Sequence, residues 1–129
     1  MDLKHVLLID DNDIDIYISK HIVNSSKMAE KITVKNSAVE ALEYLSTLME
    51  NSEAFPDTIF LDISMPVMDG FGFLDQYSKF PEYMTEKPHI FMLTSSSDAD
   101  DIERVSKIKF VKKYLTKPLS LTMLKSLQF

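Results

Sequence analysis

Five short apolar runs constrain this chain more than any other feature. They are His5-Val6-Leu7-Leu8-Ile9, Ile32-Thr33-Val34, residues 58–61 leading to Asp62, His89-Ile90-Phe91-Met92-Leu93, and Phe110-Val111 with Tyr114-Leu115. Each has the length and β-branched, aromatic or leucine content of a buried strand and is too short for a helix. The stretches between them carry helical signals instead. Asn12 or Asp13 offers an N-cap, and Ile14, Ile18 and Ile22 predict a helix to about Val23, broken by Asn24-Ser25-Ser26. Ser37 and Glu40 have capping-box spacing before Ala38, Ala41, Leu42, Leu45, Leu48 and Met49, the clearest amphipathic pattern in the chain.

A polar loop at 50–57 precedes the central strand. After Gly70, Phe71, Leu74 and Tyr77 predict a third helix that stops before Pro81, and residues 81–88 read as a loop. Ser97 is the expected cap of a helix to about Lys107 whose apolar face, Ile102 and Val105, is thin; Ser120 caps a last helix carrying Leu121, Leu124 and Leu127. Strands alternating with helices through short connections predict a parallel sheet with right-handed crossovers and helices on both faces.

Such a sheet binds ligands at the carboxyl ends of its strands, near the point where strand order reverses. Those ends carry Asp10-Asp11 after the first strand, Asp62 after the third, Thr94-Ser95 after the fourth and Lys117 after the fifth. Three carboxylates brought together repel, and a hard divalent cation with oxygen ligands relieves them. An ammonium and a hydroxyl are groups that hold phosphoryl oxygens. The set points to phosphoryl transfer with a carboxylate as acceptor.

Composition narrows the alternatives. A chain of 129 residues is expected to form one domain. Having no cysteine, it has no disulfide framework, thiolate nucleophile or cysteine-based zinc site. The apolar run at 6–9 is far too short for a signal peptide or membrane span, so the expected location is cytoplasmic, with no membrane partner. Residues 1–103 hold all 20 acidic residues and 7 of the 14 basic ones, whereas residues 104–129 hold the other 7 basic residues and no acid. The net charge of −6 argues against nucleic acid as a direct partner.

In Leu8-Ile9-Asp10-Asp11, Leu61-Asp62-Ile63-Ser64-Met65-Pro66-Val67-Met68-Asp69-Gly70, Thr94-Ser95 and Tyr114-Leu115-Thr116-Lys117-Pro118, the sequence resembles the receiver domain of two-component response regulators, of the chemotaxis-regulator kind. The resemblance covers essentially the whole chain. It implies a flavodoxin-like (βα)5 doubly wound sandwich with parallel strand order 2-1-3-4-5, and residues 1–129 as one receiver domain without an output domain. It implies that Asp62 accepts phosphate from a sensor histidine kinase or a histidine phosphotransfer protein. Asp10, Asp11, Asp62 and the Ser64 backbone carbonyl would hold Mg²⁺, with Mn²⁺ as an alternative. Thr94 would bond a phosphoryl oxygen, Lys117 would pair with the phosphoryl group, and Tyr114 would be the aromatic switch moving with Thr94. The peptide before Pro118 is expected to be cis. Lys113 stands where the family often has glycine, and Ser64 and Ser96 stand where the family tunes phosphoryl loss.

The residues also admit plainer readings. Asp10-Asp11 alone could be helix caps, Lys117 a solvated lysine and Tyr114 a core residue; Asp69-Gly70 reads as a turn and N-cap. His5, His21 and His89 share no ligand spacing. The basic residues Arg104, Lys107, Lys109, Lys112, Lys113 and Lys125 could be solvated surface or a docking face, at 104–125, for an acidic downstream partner. The expectation is a phosphoacceptor rather than an enzyme, as a monomer or a phosphorylation-dependent dimer. The alternatives are a non-phosphorylated pseudo-receiver acting as an interaction module and a haloacid-dehalogenase-like phosphohydrolase. The latter normally has a second Asp where Ser64 stands.

Overall fold

A computed structural model describes residues 3–95 and 99–127. Five strands, β1 (Leu3–Ile9), β2 (Ala29–Lys35), β3 (Thr58–Asp62), β4 (His89–Thr94) and β5 (Val111–Thr116), form one parallel sheet in the order β2-β1-β3-β4-β5. The helices are α1 (Asp13–Ser26), α2 (Ala38–Ser46), α3 (Gly70–Tyr77), α4 (Glu82–Thr85), α5 (Ala99–Ser106) and α6 (Leu121–Ser126). Successive strand residues point to opposite faces, so the sheet separates two cores. Leu7, Ile9, Ile59, Leu61, Ile90 and Met92 face α2, α3 and α5, whereas Val6, Leu8, Phe60, Phe91 and Leu93 face α1 and α6. Phe60 and Phe91, register partners on β3 and β4, stack with centroids 5.5 Å apart.

The expected caps hold. Asn12 Oδ1 accepts from the amides of Ile14 and Asp15, Ser37 Oγ from Glu40, and Ser120 Oγ from Met123. The Ser97 cap and Ser96 lie outside the described residues. Five local expectations need correction. Helix α1 continues through Asn24-Ser25-Ser26 and ends at Lys27, whose φ of 57° supplies the left-handed cap that glycine usually provides. Helix α2 ends at Ser46, and Leu48 and Met49 lie in turns beyond it.

Residues 81–88 are not a plain loop. Pro81 starts α4, Met84 and Thr85 are buried, and the Tyr77 hydroxyl donates to the Thr85 carbonyl at 3.1 Å. A tertiary anchor thus orders a segment whose sequence carries no periodicity. Finally, β5 starts at Val111, leaving Phe110 in the preceding turn against the core, and α6 ends at Ser126 with Leu127 as its buried C-cap.

Candidate functional site

The carboxyl edge of the sheet gathers the chemistry. Asp10 follows β1, Asp62 ends β3, Thr94 ends β4, and Lys117 follows β5 with its amide bonded to the Thr94 carbonyl at 2.7 Å. Asp10, Asp62 and Thr94 are buried, while Asp11 is exposed at the pocket rim. One carboxylate oxygen from each of Asp10, Asp11 and Asp62 lies within 4.8 Å of the others. The Lys117 ammonium reaches Asp10 Oδ2 at 2.7 Å, Asp15 Oδ2 at 2.8 Å and Asp62 Oδ1 at 3.2 Å. The Lys117–Pro118 peptide is cis.

Charge in this pocket is unbalanced. Burial, then the Asp10 carboxylate, lifts the Asp62 pKa to about 6, against the pull of Lys117 and the Ser64 amide. Burial works against the Lys117 charge, but hydrogen bonds to Asp10 and Asp15 outweigh it and push its pKa up. A pocket of oxygen donors whose central carboxylate resists ionisation fits a hard divalent cation. Asp10 is pre-set for this: Oδ1 accepts from the Asn12 amide at 2.9 Å and Oδ2 from Lys117, so its rotamer is fixed.

The chain after Asp62 turns on the backbone. The Met68 amide donates to the Pro66 carbonyl at 2.8 Å across Val67, which takes a φ of 69° and is wholly exposed. Such a γ-turn is strained for a β-branched residue. The Gly70 amide then bonds the Ile63 carbonyl at 2.8 Å, and Asp69 caps α3 through the Gly72 amide. Asp69 is therefore a cap, as its turn context predicts. Ser64 is exposed on this loop, two residues from Asp62.

Tyr114 is half-buried beside Ile102, Val105 and Val111 on the β5–α5 side. Lys113 pairs with Phe91 in an ordinary strand conformation, and Lys112 is the extra residue of a register shift between Ile90 and Phe91. The histidines sit apart: His5 bonds the Ala54 carbonyl and Thr33 hydroxyl, His21 stacks on Tyr17, and His89 opens β4 at the opposite end of the sheet. Sequence reasoning missed Asp15. Its position in the first turn of α1 reads as an ordinary helix-start acid, and only the fold carries it to Lys117.

Fold and site together define a flavodoxin-like α/β domain with one acidic, lysine-bearing pocket at its carboxyl edge. The response regulator receiver domain family matches residues 6–127. A two-component response regulator from Cytophaga hutchinsonii superposes with a TM-score of 0.90 at 29% identity, over 97% of this chain and 93% of that one. The two-component response regulator ORR8 of Oryza sativa is 30% identical over 125 residues, covering 94% of this chain and 92% of the relative. The probable methanogenesis regulatory protein FilR2 of Methanothrix harundinacea is 29% identical over 93% of this chain and 76% of its own length. The chain belongs to the response regulator receiver family. It is a receiver domain of two-component signalling, a family that binds a divalent metal ion and works with histidine kinases or phosphotransfer proteins. Among the described residues no helix is long and apolar enough to cross a membrane.

Proposed function

We propose that Asp62 is the phosphoacceptor of a Mg²⁺-dependent switch in the cytoplasm. The observation that carries this is the buried Asp62 carboxylate facing Lys117 at 3.2 Å, with Asp10 and Asp11 alongside. In the forward step an Asp62 oxygen forms a bond to phosphorus as the P–N bond of a phosphohistidine breaks, its electron pair returning to the imidazole nitrogen. Lys117 meets the oxygens that carry the transferred charge. Mg²⁺, held by Asp10, Asp11, Asp62 and the Ser64 carbonyl, would neutralise the carboxylates and bind a phosphoryl oxygen. In the reverse sense water attacks phosphorus, Asp62 leaves as carboxylate and phosphate departs. The protein is a phosphoacceptor that assists both steps, not an enzyme turning over a separate substrate.

The modification adds about −1.5 to −2 charges at the sheet edge. Thr94 moves toward the new oxygens and Tyr114 fills the space it leaves, altering the surface of α5, β5 and α6. Arg104, Lys107, Lys109, Lys112, Lys113 and Lys125 are the docking face for a downstream acidic partner.

Incubation with Mg²⁺ and acetyl phosphate, followed by intact mass under conditions that preserve acyl phosphates, tests this. Wild type gains one phosphoryl group and Asp62→Asn gains none. No gain in wild type would establish the pseudo-receiver instead, and sustained hydrolysis of diverse phosphoesters the phosphohydrolase.

A further inference from the structure

The Lys117 ammonium lies among three carboxylates, hydrogen-bonded to Asp10 at 2.7 Å and Asp15 at 2.8 Å, and its longest contact, an ion pair at 3.2 Å, is to Asp62. Asp15 is fixed from below, because its amide is held by Asn12 Oδ1 at 3.0 Å and α1 packs against the sheet. Helix dipole alone would favour any acid in this turn. Asp13, in the same turn, is exposed, whereas Asp15 turns inward to a lysine 102 residues away.

We propose that Asp15 is a positioning residue that holds the Lys117 ammonium off Asp62 and so limits how strongly it engages a phosphoryl group there. This rests on Asp62 being the acceptor. With Asp15 charged, the ammonium is shared, and its field at Asp62 is partly cancelled by a fourth carboxylate. Removing that charge frees Lys117 to move onto the phosphoryl oxygens and lowers the repulsion met by an anionic donor.

The test uses the full chain with Asp15→Asn, Asp15→Ala and Asp15→Glu. In metal-free protein, the Lys117 ammonium protons, seen by ¹⁵N-correlated NMR, are expected to exchange slowly with water in wild type and several-fold faster in Asp15→Ala. With saturating Mg²⁺, phosphorylation by acetyl phosphate and affinity for beryllofluoride are expected to rise roughly three- to tenfold in Asp15→Asn and Asp15→Ala, an exposed-to-half-buried charge effect. The gain should fall only modestly between about 0.05 M and about 0.5 M salt, because these charges are partly buried and in contact. Asp15→Glu, which keeps the charge, should stay near wild type. Unchanged or slower phosphorylation in Asp15→Asn overturns the proposal, as does unaltered ammonium exchange in Asp15→Ala or the lack of a slowly exchanging signal in wild type. Were wild type not phosphorylated at all, the functional reading would fail while the exchange measurement still decided whether Asp15 holds Lys117.

Discussion

Asp62 is only 4% exposed, and burial and the Asp10 charge raise its pKa from 3.8 to about 6. Because the folded state holds this proton more tightly than the unfolded chain, the Asp62 contribution to stability is fully present at acid pH and is lost as pH rises from about 4 through about 6. At neutral pH without a divalent cation, Asp62→Asn is expected to stabilise the fold by on the order of 2 kcal/mol. The gain should vanish near pH 4, and Mg²⁺ should stabilise wild type more than the variant; chemical denaturation across pH, with and without Mg²⁺, measures all three. A variant no more stable than wild type at pH 7.5 would show that the Asp62 charge is already compensated. Asp62 was legible in the sequence because an apolar run delivers a carboxylate where a strand must leave the core. Asp15 was not, because its partner is chosen by the topology rather than by spacing.

At the scale of an element, the segment from Asp62 to α3 shows how close packing positions the pocket. A Cβ on Gly70 would stand 2.7 Å from the Asp62 carbonyl oxygen and 3.0 Å from Ile63 Cα, both backbone atoms that cannot turn aside. Gly70→Ala is expected to cost about 1–3 kcal/mol in urea unfolding and to slow phosphorylation by displacing the end of β3. Gly72 is a useful contrast, since its added Cβ meets Met68 Cγ at 2.8 Å, on a side chain that can move. Relief there, with the helix preference of alanine over glycine, should leave Gly72→Ala within about 1 kcal/mol of wild type. Equal losses in the two variants would rule out backbone crowding as the cause. Neither the γ-turn at Val67 nor the left-handed Lys27 carries a glycine to announce it, and α4 lacks any helical repeat. These are elements imposed by neighbours, through the Pro66–Met68 bond, the Asn24–Lys27 bond and the Tyr77–Thr85 bond.

Across the whole molecule, the acidic pocket lies at the carboxyl edge and the basic residues spread around the open side of β5. They are not equivalent. Arg104 lies 3.9 Å over the Phe71 ring, and Lys107 pairs with Glu103 at 3.4 Å with both side chains largely exposed, a weak link. Lys112 and Lys113 lie exposed on an edge strand, where lysine also guards against pairing with another sheet. Lys109 and Lys112 flank one groove with Phe110 and Pro88, which makes them the best test of docking. Charge reversal at both is expected to weaken binding to the downstream partner about tenfold at low salt while leaving acetyl-phosphate modification intact. Unchanged affinity by calorimetry would return these lysines to edge protection. The residues by themselves determined the parallel sheet, its two-sided helical cover and the placing of Asp10, Asp11, Asp62, Thr94 and Lys117 along one edge, because strand ends in a parallel sheet converge there; the strand order came with the family resemblance. Only the tertiary structure decided how they share charge. Which carboxylates Lys117 joins depends on how α1 brings Asp15 beside the chain that follows β5, and that juxtaposition has no counterpart in local sequence.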